Sequence, residues 1–341
     1  MKVLVTGGAG FIGSNFVRLL VEERPDWEVC VLDLLTYAGN IESINDLISE
    51  SKISFEKADI ANSDEMERVF NKFKPELVFH FAAESHVDRS IHSASEFVRT
   101  NVVGTQNLIN CARNSSIKRF IHVSTDEVYG SLGAEGVFYE STPLDPTSPY
   151  ASSKAASDLM VLAACKTHGF DAVLTRCTNN YGPYQFPEKL IPLFIANALE
   201  DKKLPLYGDG MNVRSWIYVK DHCEAVLLVA EKGISGEVYN IGSTSEGELT
   251  NKHVTEVILK SLDKPDSLVQ YVEDRLAHDL RYAVSIDKIS NELGWQPKIG
   301  FDEGISLTID WYLNNKDWWE RIRSGEYIEF YEKHYQKSLA S

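Results

Sequence analysis

Val3-Leu4-Val5-Thr6-Gly7-Gly8-Ala9-Gly10-Phe11-Ile12-Gly13 is the stretch that decides the fold of this chain. Its β-branched start predicts a strand over 3–6, and the apolar period of 12–22 predicts a helix behind it. Between them Gly7, Gly10 and Gly13 are spaced G-x-x-G-x-x-G, with Phe11 and Ile12 inside the turn. A tight βα turn needs glycine anyway, so the turn alone says little. Small residues there also let the backbone and the unpaired N–H groups of a helix N-terminus approach a pyrophosphate. Asp33 ends the second predicted strand, twenty residues after Gly13. An acid at that point hydrogen-bonds a ribose 2′-hydroxyl and repels a 2′-phosphate, which favours NAD over NADP. Strand, turn, helix and acid in this order mark a dinucleotide site. Asp59 and Ile60 end the third strand, where the Asp59 carboxylate could hydrogen-bond adenine or cap a helix.

The same alternation continues outward. Further strands are predicted over 29–33, 53–57, 77–81, 120–124 and 172–176, with helices in the intervals, including 64–73 and 95–114. Right-handed crossovers stack such units into an α/β, doubly wound parallel sheet of the Rossmann kind, with ligands at the C-terminal strand ends. After Asn179 the pattern changes. Residues 181–192 are rich in Pro, Tyr and Gly, and 204–210 reads as strand and turn. Residues 216–232 and 238–242 return to a helix-then-strand style. The expected organisation is an NAD-binding domain from 1–180 plus 214–243 and a smaller, discontinuous α/β domain for the substrate from 181–213 plus 244–341. Trp311, Trp318 and Trp319 follow a helical period and are expected to pack that domain's core.

Composition bounds the function. The 341 residues are 43% apolar and 25% charged, as in an ordinary globular protein. A formal net charge of −16 argues against nucleic acid or an anionic membrane as the main partner. No apolar stretch approaches a membrane span, and the strand-like run from Lys2 leaves no room for a signal peptide. The five cysteines are scattered, with no C-x-x-C pair, as expected of buried thiols in a reducing cytoplasm. His80, His86 and His92 lie along a strand and its loop rather than in a ligand cluster, so no metal is expected.

Two elements carry chemistry. Tyr150 and Lys154 lie four apart, so on a helix they share a face, and Pro149 gives that helix its start. A nearby ammonium favours the phenolate, so the pair suits removing a hydroxyl proton during hydride transfer. Asp126 and Glu127 follow the apolar run 120–123. They could be a solvated cap. Beside a hydride-transfer site, two carboxylates in different surroundings can instead divide into an acid and a base. Thr125 adds a hydroxyl able to hydrogen-bond the oxygen being oxidised.

The set Thr6-Gly-Gly-Ala-Gly-Phe-Ile-Gly13, Ser124-Thr-Asp-Glu-Val-Tyr-Gly130 and Tyr150-x-x-x-Lys154 resembles the extended short-chain dehydrogenase/reductases. More narrowly, the chain resembles the nucleoside-diphosphate-glucose 4,6-dehydratases, above all those acting on dTDP-glucose. The likeness runs from Lys2 to about Tyr335 and includes residues 82–90, 179–184 and 186–192. Thr125-Asp126-Glu127 is the discriminating triplet, since related 4-epimerases keep Tyr-x-x-x-Lys and usually lack the acid–base pair.

The resemblance implies a hydro-lyase. Tyr150 would take the 4-hydroxyl proton while hydride moves from C4 to NAD, with Lys154 and Thr125 polarising the site. Glu127 would remove the C5 proton, Asp126 would protonate the departing 6-hydroxyl, and the hydride would return to C6, giving a 4-keto-6-deoxy sugar. NAD contacts would come from the glycine turn, Asp33, Asp59, Ile60, Ala82, Ala83, Thr100 and Asn180, besides Tyr150 and Lys154. Substrate contacts would come from Ser85, Thr125, Asn179, Lys189, Leu190, Pro205, Tyr207, Arg214, Arg275 and His278. A homodimer through helices near 95–114 and 152–168 is also implied. Two departures border the nucleotide end. The family's Asp-Arg-Pro-Gly-His is here Asp274-Arg-Leu276-Ala277-His278, and Leu249 aligns with a diphosphate-binding Asn while Asn251 lies two residues on. They leave open whether the nucleotide is dTDP, UDP or another, and a nucleotide-sugar 4-epimerase is the competing reading.

Overall fold

The computed structural model describes residues 1–274 and 279–323. The first six strands are β1 (Lys2–Thr6), β2 (Glu28–Asp33), β3 (Ile53–Lys57), β4 (Leu77–His80), β5 (Arg119–Thr125) and β6 (Ala172–Cys177). Three short strands follow, β7 (Asn179–Tyr181), β8 (Leu204–Tyr207) and β9 (Val213–Tyr218), then β10 (Val238–Ile241), β11 (Glu248–Thr250) and β12 (Val269–Val272). Seven strands form one sheet in the order β10-β6-β5-β4-β1-β2-β3. Every pairing in it is parallel. The buried runs of Val, Leu, Ile and Phe in these strands suit a sheet covered on both faces. Strand order reverses between β1 and β4, the switch point at which a doubly wound sheet opens a ligand crevice.

One face is covered by helices Phe11–Glu23, Val219–Lys232 and Asp287–Leu293, through Phe16, Leu20, Val226 and Ile289. The other is covered by Ser63–Phe73, Thr105–Asn114 and Pro149–His168, through Phe70, Leu108 and Val161. Helix Ser63–Phe73 shows the local logic: Asn62 caps the Asp64 and Glu65 amides, and Met66, Val69, Phe70 and Phe73 form one buried stripe. Asn62, not Asp59, is therefore the cap here, and Asp59 instead pairs with Arg99 and accepts from the Ala61 amide.

A third core lies outside the large sheet. It joins helices Leu190–Leu199, Asn251–Ser261 and Phe301–Asn314 with the sheet β11-β9-β7 and the pair β12-β8. Trp318 and Trp319 are buried in it and Trp311 packs at its edge.

Two expectations change. Residues 216–218 belong to strand β9, not to the helix, which starts at Val219. A short apolar run does not distinguish the two states; its partners β7 and β11 do. The single helix expected over 95–114 is three pieces, Ala94–Phe97, a π-helical turn Val98–Gly104 and Thr105–Asn114. The wide turn frees Asn101 to bond both the Glu84 backbone and Ser153 Oγ. All five cysteines are free thiols, four buried and Cys165 half-buried. Among the described residues no helix is long and apolar enough to cross a membrane.

Candidate active site

The glycine turn is a backbone cradle. Gly7 takes φ +71°, and a Cβ there would lie 2.5 Å from the Ala82 amide nitrogen. A Cβ on Gly13 would lie 2.1 Å from the Gly7 carbonyl oxygen. Helix Phe11–Glu23 begins at Gly10 with no side chain capping its first amides, which leaves them open to a ligand at its N-terminus. Asp33 is buried at the end of β2, its two oxygens accepting from the Ala9 amide at 3.0 Å and the Leu35 amide at 2.8 Å. Burial raises its pKa, and these amides oppose the rise. Gly104 packs so closely on Ile60 that its own Cβ would meet that side chain at 2.6 Å. The cradle, the acid and the partnerless buried Asn180 Oδ1 together fit NAD.

The catalytic candidates gather where β5 ends. Thr125 closes the strand, and its hydroxyl oxygen accepts from the Glu127 amide at 3.3 Å. It also donates to Asp126 Oδ1 at 3.3 Å and bonds the Tyr150 hydroxyl. Asp126 is 2% exposed. Burial first, and then the Glu127 charge, push its carboxyl up to about 8, against the pull of Arg214. It therefore holds its proton at neutral pH.

Ser148 and Pro149 start helix Pro149–His168, the Ser148 hydroxyl oxygen accepting from the Ala151 amide, and Gly169 ends it in the left-handed region. Tyr150 thus sits in the first turn, facing Thr125, with Lys154 one turn along. Lys154 Nζ donates to the Val123 carbonyl at 2.9 Å, and burial lowers its pKa to about 8. The expected Lys154-driven lowering of the Tyr150 pKa is not what governs here. Burial, then the Glu127 charge, hold Tyr150 well above its ordinary value, and the Thr125 hydrogen bond opposes them. The ammonium is turned to a backbone carbonyl while the Glu127 carboxylate acts on the phenol.

The described candidates from the cofactor and catalytic sets line one cleft of about 440 Å³, from Gly7 to Lys154 and Asn180. Ser85, Asn179, Lys189, Leu190, Pro205, Tyr207 and Arg214 line its other side. Lys189 Nζ donates to the Ser85 carbonyl at 3.2 Å, so two distant segments meet here. Arg214 stacks 4.7 Å over the Tyr282 ring and donates to the Asp279 carbonyl at 3.0 Å. Asn251 lines the cleft, whereas Leu249 packs against the third core. Arg275, Leu276, Ala277 and His278 lie outside the described residues.

Several lining residues were not anticipated. Glu188 is buried with its pKa pushed up to about 7 by burial, against Lys189 and Arg89, and lies 3.6 Å from His86 Nε2. Its place before Lys189 in Phe186-Pro-Glu-Lys was the available signal. Tyr282 and Cys177 gave none, because a phenol in an irregular segment and a thiol at a strand end look like core in sequence. Among the described residues no group of three or more His, Cys, Asp or Glu could hold a metal.

Known proteins share this fold. The family model described as GDP-mannose 4,6 dehydratase matches residues 4–308. A dTDP-glucose 4,6-dehydratase of Neisseria meningitidis serogroup B is 48% identical, over 96% of this chain and 97% of its own. The crystal structure of DesIV, the dTDP-glucose 4,6-dehydratase of Streptomyces venezuelae, with NAD and dTDP bound, superposes with a TM-score of 0.90 at 50% identity, covering 94% of this chain and all of that one. A UDP-glucose 4-epimerase of Thermotoga maritima, solved with UDP-glucose, has a TM-score of 0.86 at 30% identity, covering 93% of this chain and 100% of its own. A match over this span, with relatives near half-identical along almost their full length, places the chain in the GDP-mannose 4,6-dehydratase family.

Proposed function

We propose that this protein is an NAD-dependent dTDP-glucose 4,6-dehydratase, a hydro-lyase that converts dTDP-glucose to dTDP-4-keto-6-deoxyglucose and water. Bound NAD supplies the hydride acceptor for C4, the hydride donor for C6 and a positive ring that favours the Tyr150 phenolate. Tyr150 takes the 4-hydroxyl proton, and Thr125 and Lys154 hold the surrounding charge. Oxidation at C4 acidifies the C5 proton, which Glu127 removes. The C6–O bond then breaks as Asp126 gives its proton to the leaving hydroxyl, and water departs. Glu127, after exchanging the proton it took with solvent, delivers one to C5. The site balances when the proton held on Tyr150 restores Asp126, and the Thr125 hydroxyl, bonded to both, joins them.

The observation that carries this reading is Asp126, buried, kept protonated and adjacent in sequence to a second carboxylate. An epimerase that only removes and returns hydride at C4 has no use for such an acid. Glu127→Gln tests it: NAD binding should persist while solvent exchange of the C5 proton falls by about 10²–10⁴-fold. Normal C5 exchange in that variant would sink the assignment.

The remaining roles rest on placement. Ser85, Asn179, Lys189, Leu190, Arg214 and Asn251 would take the sugar and diphosphate, and Pro205 and Tyr207 the base. The division into 1–180 plus 214–243 and 181–213 plus 244–341 keeps the cofactor contacts in the first unit, from which Ser85, Asn179 and Arg214 also reach the substrate. The helix Asp287–Leu293 is a substrate-half segment packed on the cofactor sheet. A homodimer is supported by the exposed apolar residues Val98, Val103, Leu159 and Met160 on 95–114 and 152–168. A cytoplasmic setting suits the five free thiols.

A further inference from the structure

The 34–40 segment leaves β2 directly after Asp33, and its Leu34, Thr36, Ala38 and Gly39 line the cofactor side of the cleft. It contains neither helix nor strand, and Leu35 takes φ +57°. Its backbone is tied down near Gly39 and Asn40, through Gly39 to Thr36 and Asn40 to Ala9. Tyr37 reaches outward from it to two other parts of the chain. The Arg89 guanidinium lies 3.7 Å from the Tyr37 ring centroid, and the Phe186 ring meets it edge-on at 5.9 Å and 85°. Arg89 comes from helix Val87–His92 after β4, and Phe186 from the loop before Leu190–Leu199. The Tyr37 hydroxyl is buried near Ser85. One ring thus gathers the cofactor loop, the segment after β4 and a loop of the substrate half. A cation over an aromatic ring in partly desolvated surroundings is held by the ring's electron-rich face.

We propose that Tyr37, clasped by Arg89 and Phe186, is a positioning residue that holds the 34–40 segment over bound NAD and so retains the cofactor through the catalytic cycle. This rests on the NAD-dependent reading above. The hydride removed from C4 is the one returned to C6, so a cofactor lost between the two steps would strand an oxidised intermediate. Retention is therefore part of the reaction, and the ring serves it without touching the reacting atoms.

The test needs no sugar. NAD release from the loaded protein is followed after rapid gel filtration, by quantifying the nucleotide that stays with the protein, for the parent, Tyr37→Phe, Tyr37→Ala and Arg89→Ala. Tyr37→Ala and Arg89→Ala should release NAD at least about tenfold faster. Their turnover should become dependent on added NAD, the loss showing in the apparent KM for NAD more than in kcat. Tyr37→Phe, which keeps the ring, should hold NAD as the parent does. Parent-like retention in Tyr37→Ala overturns the clasp, as does loss from Tyr37→Phe as fast as from Tyr37→Ala. Should Tyr37→Ala fail to fold, Arg89→Ala decides by the same measure. A parent that holds no NAD overturns the cofactor reading itself; a parent and variant that hold it equally overturn the clasp alone.

Discussion

The two sides of the cleft are built by different means. The cofactor side is mostly backbone: glycines with no room for a Cβ, an uncapped helix N-terminus and an acid whose oxygens are held by two amides. The substrate side is mostly side chains, carried by short strands and irregular segments that meet only in the fold, as when Lys189 reaches the Ser85 carbonyl. A backbone site tolerates almost no change at its closest points, whereas a side-chain site loses function one contact at a time. Asp126 and Glu127 stand at the seam, on the turn that leaves β5.

The largest effect that sharpens this contrast is expected on the cofactor side. Gly13→Ala places a methyl 2.1 Å from the Gly7 carbonyl oxygen, so the backbone must move. The cost in stability should reach about 3 kcal/mol, with NAD binding lost; denaturant melts and NAD titration would show it. Unaltered NAD affinity in that variant would break the contrast.

At the seam, Asp126→Asn should abolish dehydration and yet stabilise the protein in alkali. The Asp126 pKa is raised from 3.8 to about 8, so the folded state binds a proton that the unfolded state lacks. That contribution is full below about 3.8 and is lost as pH rises to about 8, whereas Asn does not titrate. The melting temperature of Asp126→Asn relative to the parent should therefore climb with pH and level off above about 8. The parent's elimination rate should fall over the same upper range, as its acid ionises. A relative stability that is flat with pH would contradict a proton held on Asp126.

The smallest effects belong to the substrate side. Asn251→Ala should raise KM for the nucleotide-sugar by about tenfold, the loss of one hydrogen bond to a charged group. Leu249→Ala should instead cost stability, about 1–2 kcal/mol for a half-buried leucine, with a smaller change in KM. The reverse pattern would exchange the roles of Leu249 and Asn251.

The same difference explains what could be read before the structure. The cofactor side follows from local rules: β-branched runs, a glycine turn and an acid at a fixed distance are set by one βα unit and its neighbour. The catalytic candidates were legible because helical spacing puts Tyr150 and Lys154 on one face and a strand end presents Thr125, Asp126 and Glu127 together. Their electrostatics were not. The position of Lys154 against the Val123 carbonyl, and the hold of Glu127 on Tyr150, depend on packing between helix Pro149–His168 and β5. Residues 216–218 read as the start of a helix because Trp216-Ile217-Tyr218 satisfies either period, and only the pairing of β9 with β7 and β11 decides. Tyr282 and Cys177 reach the cleft through contacts that no sequence spacing records.

Dehydration itself is tested most directly by turning over dTDP-glucose in deuterium oxide and analysing the product by mass spectrometry and NMR, with absorbance followed for free reduced cofactor. The expected product has lost one water, carries a 4-ketone, a C6 methyl and deuterium at C5, and forms with no accumulation of reduced cofactor. A product of unchanged mass with inverted C4 and its 6-hydroxyl intact would contradict the roles assigned to Asp126 and Glu127.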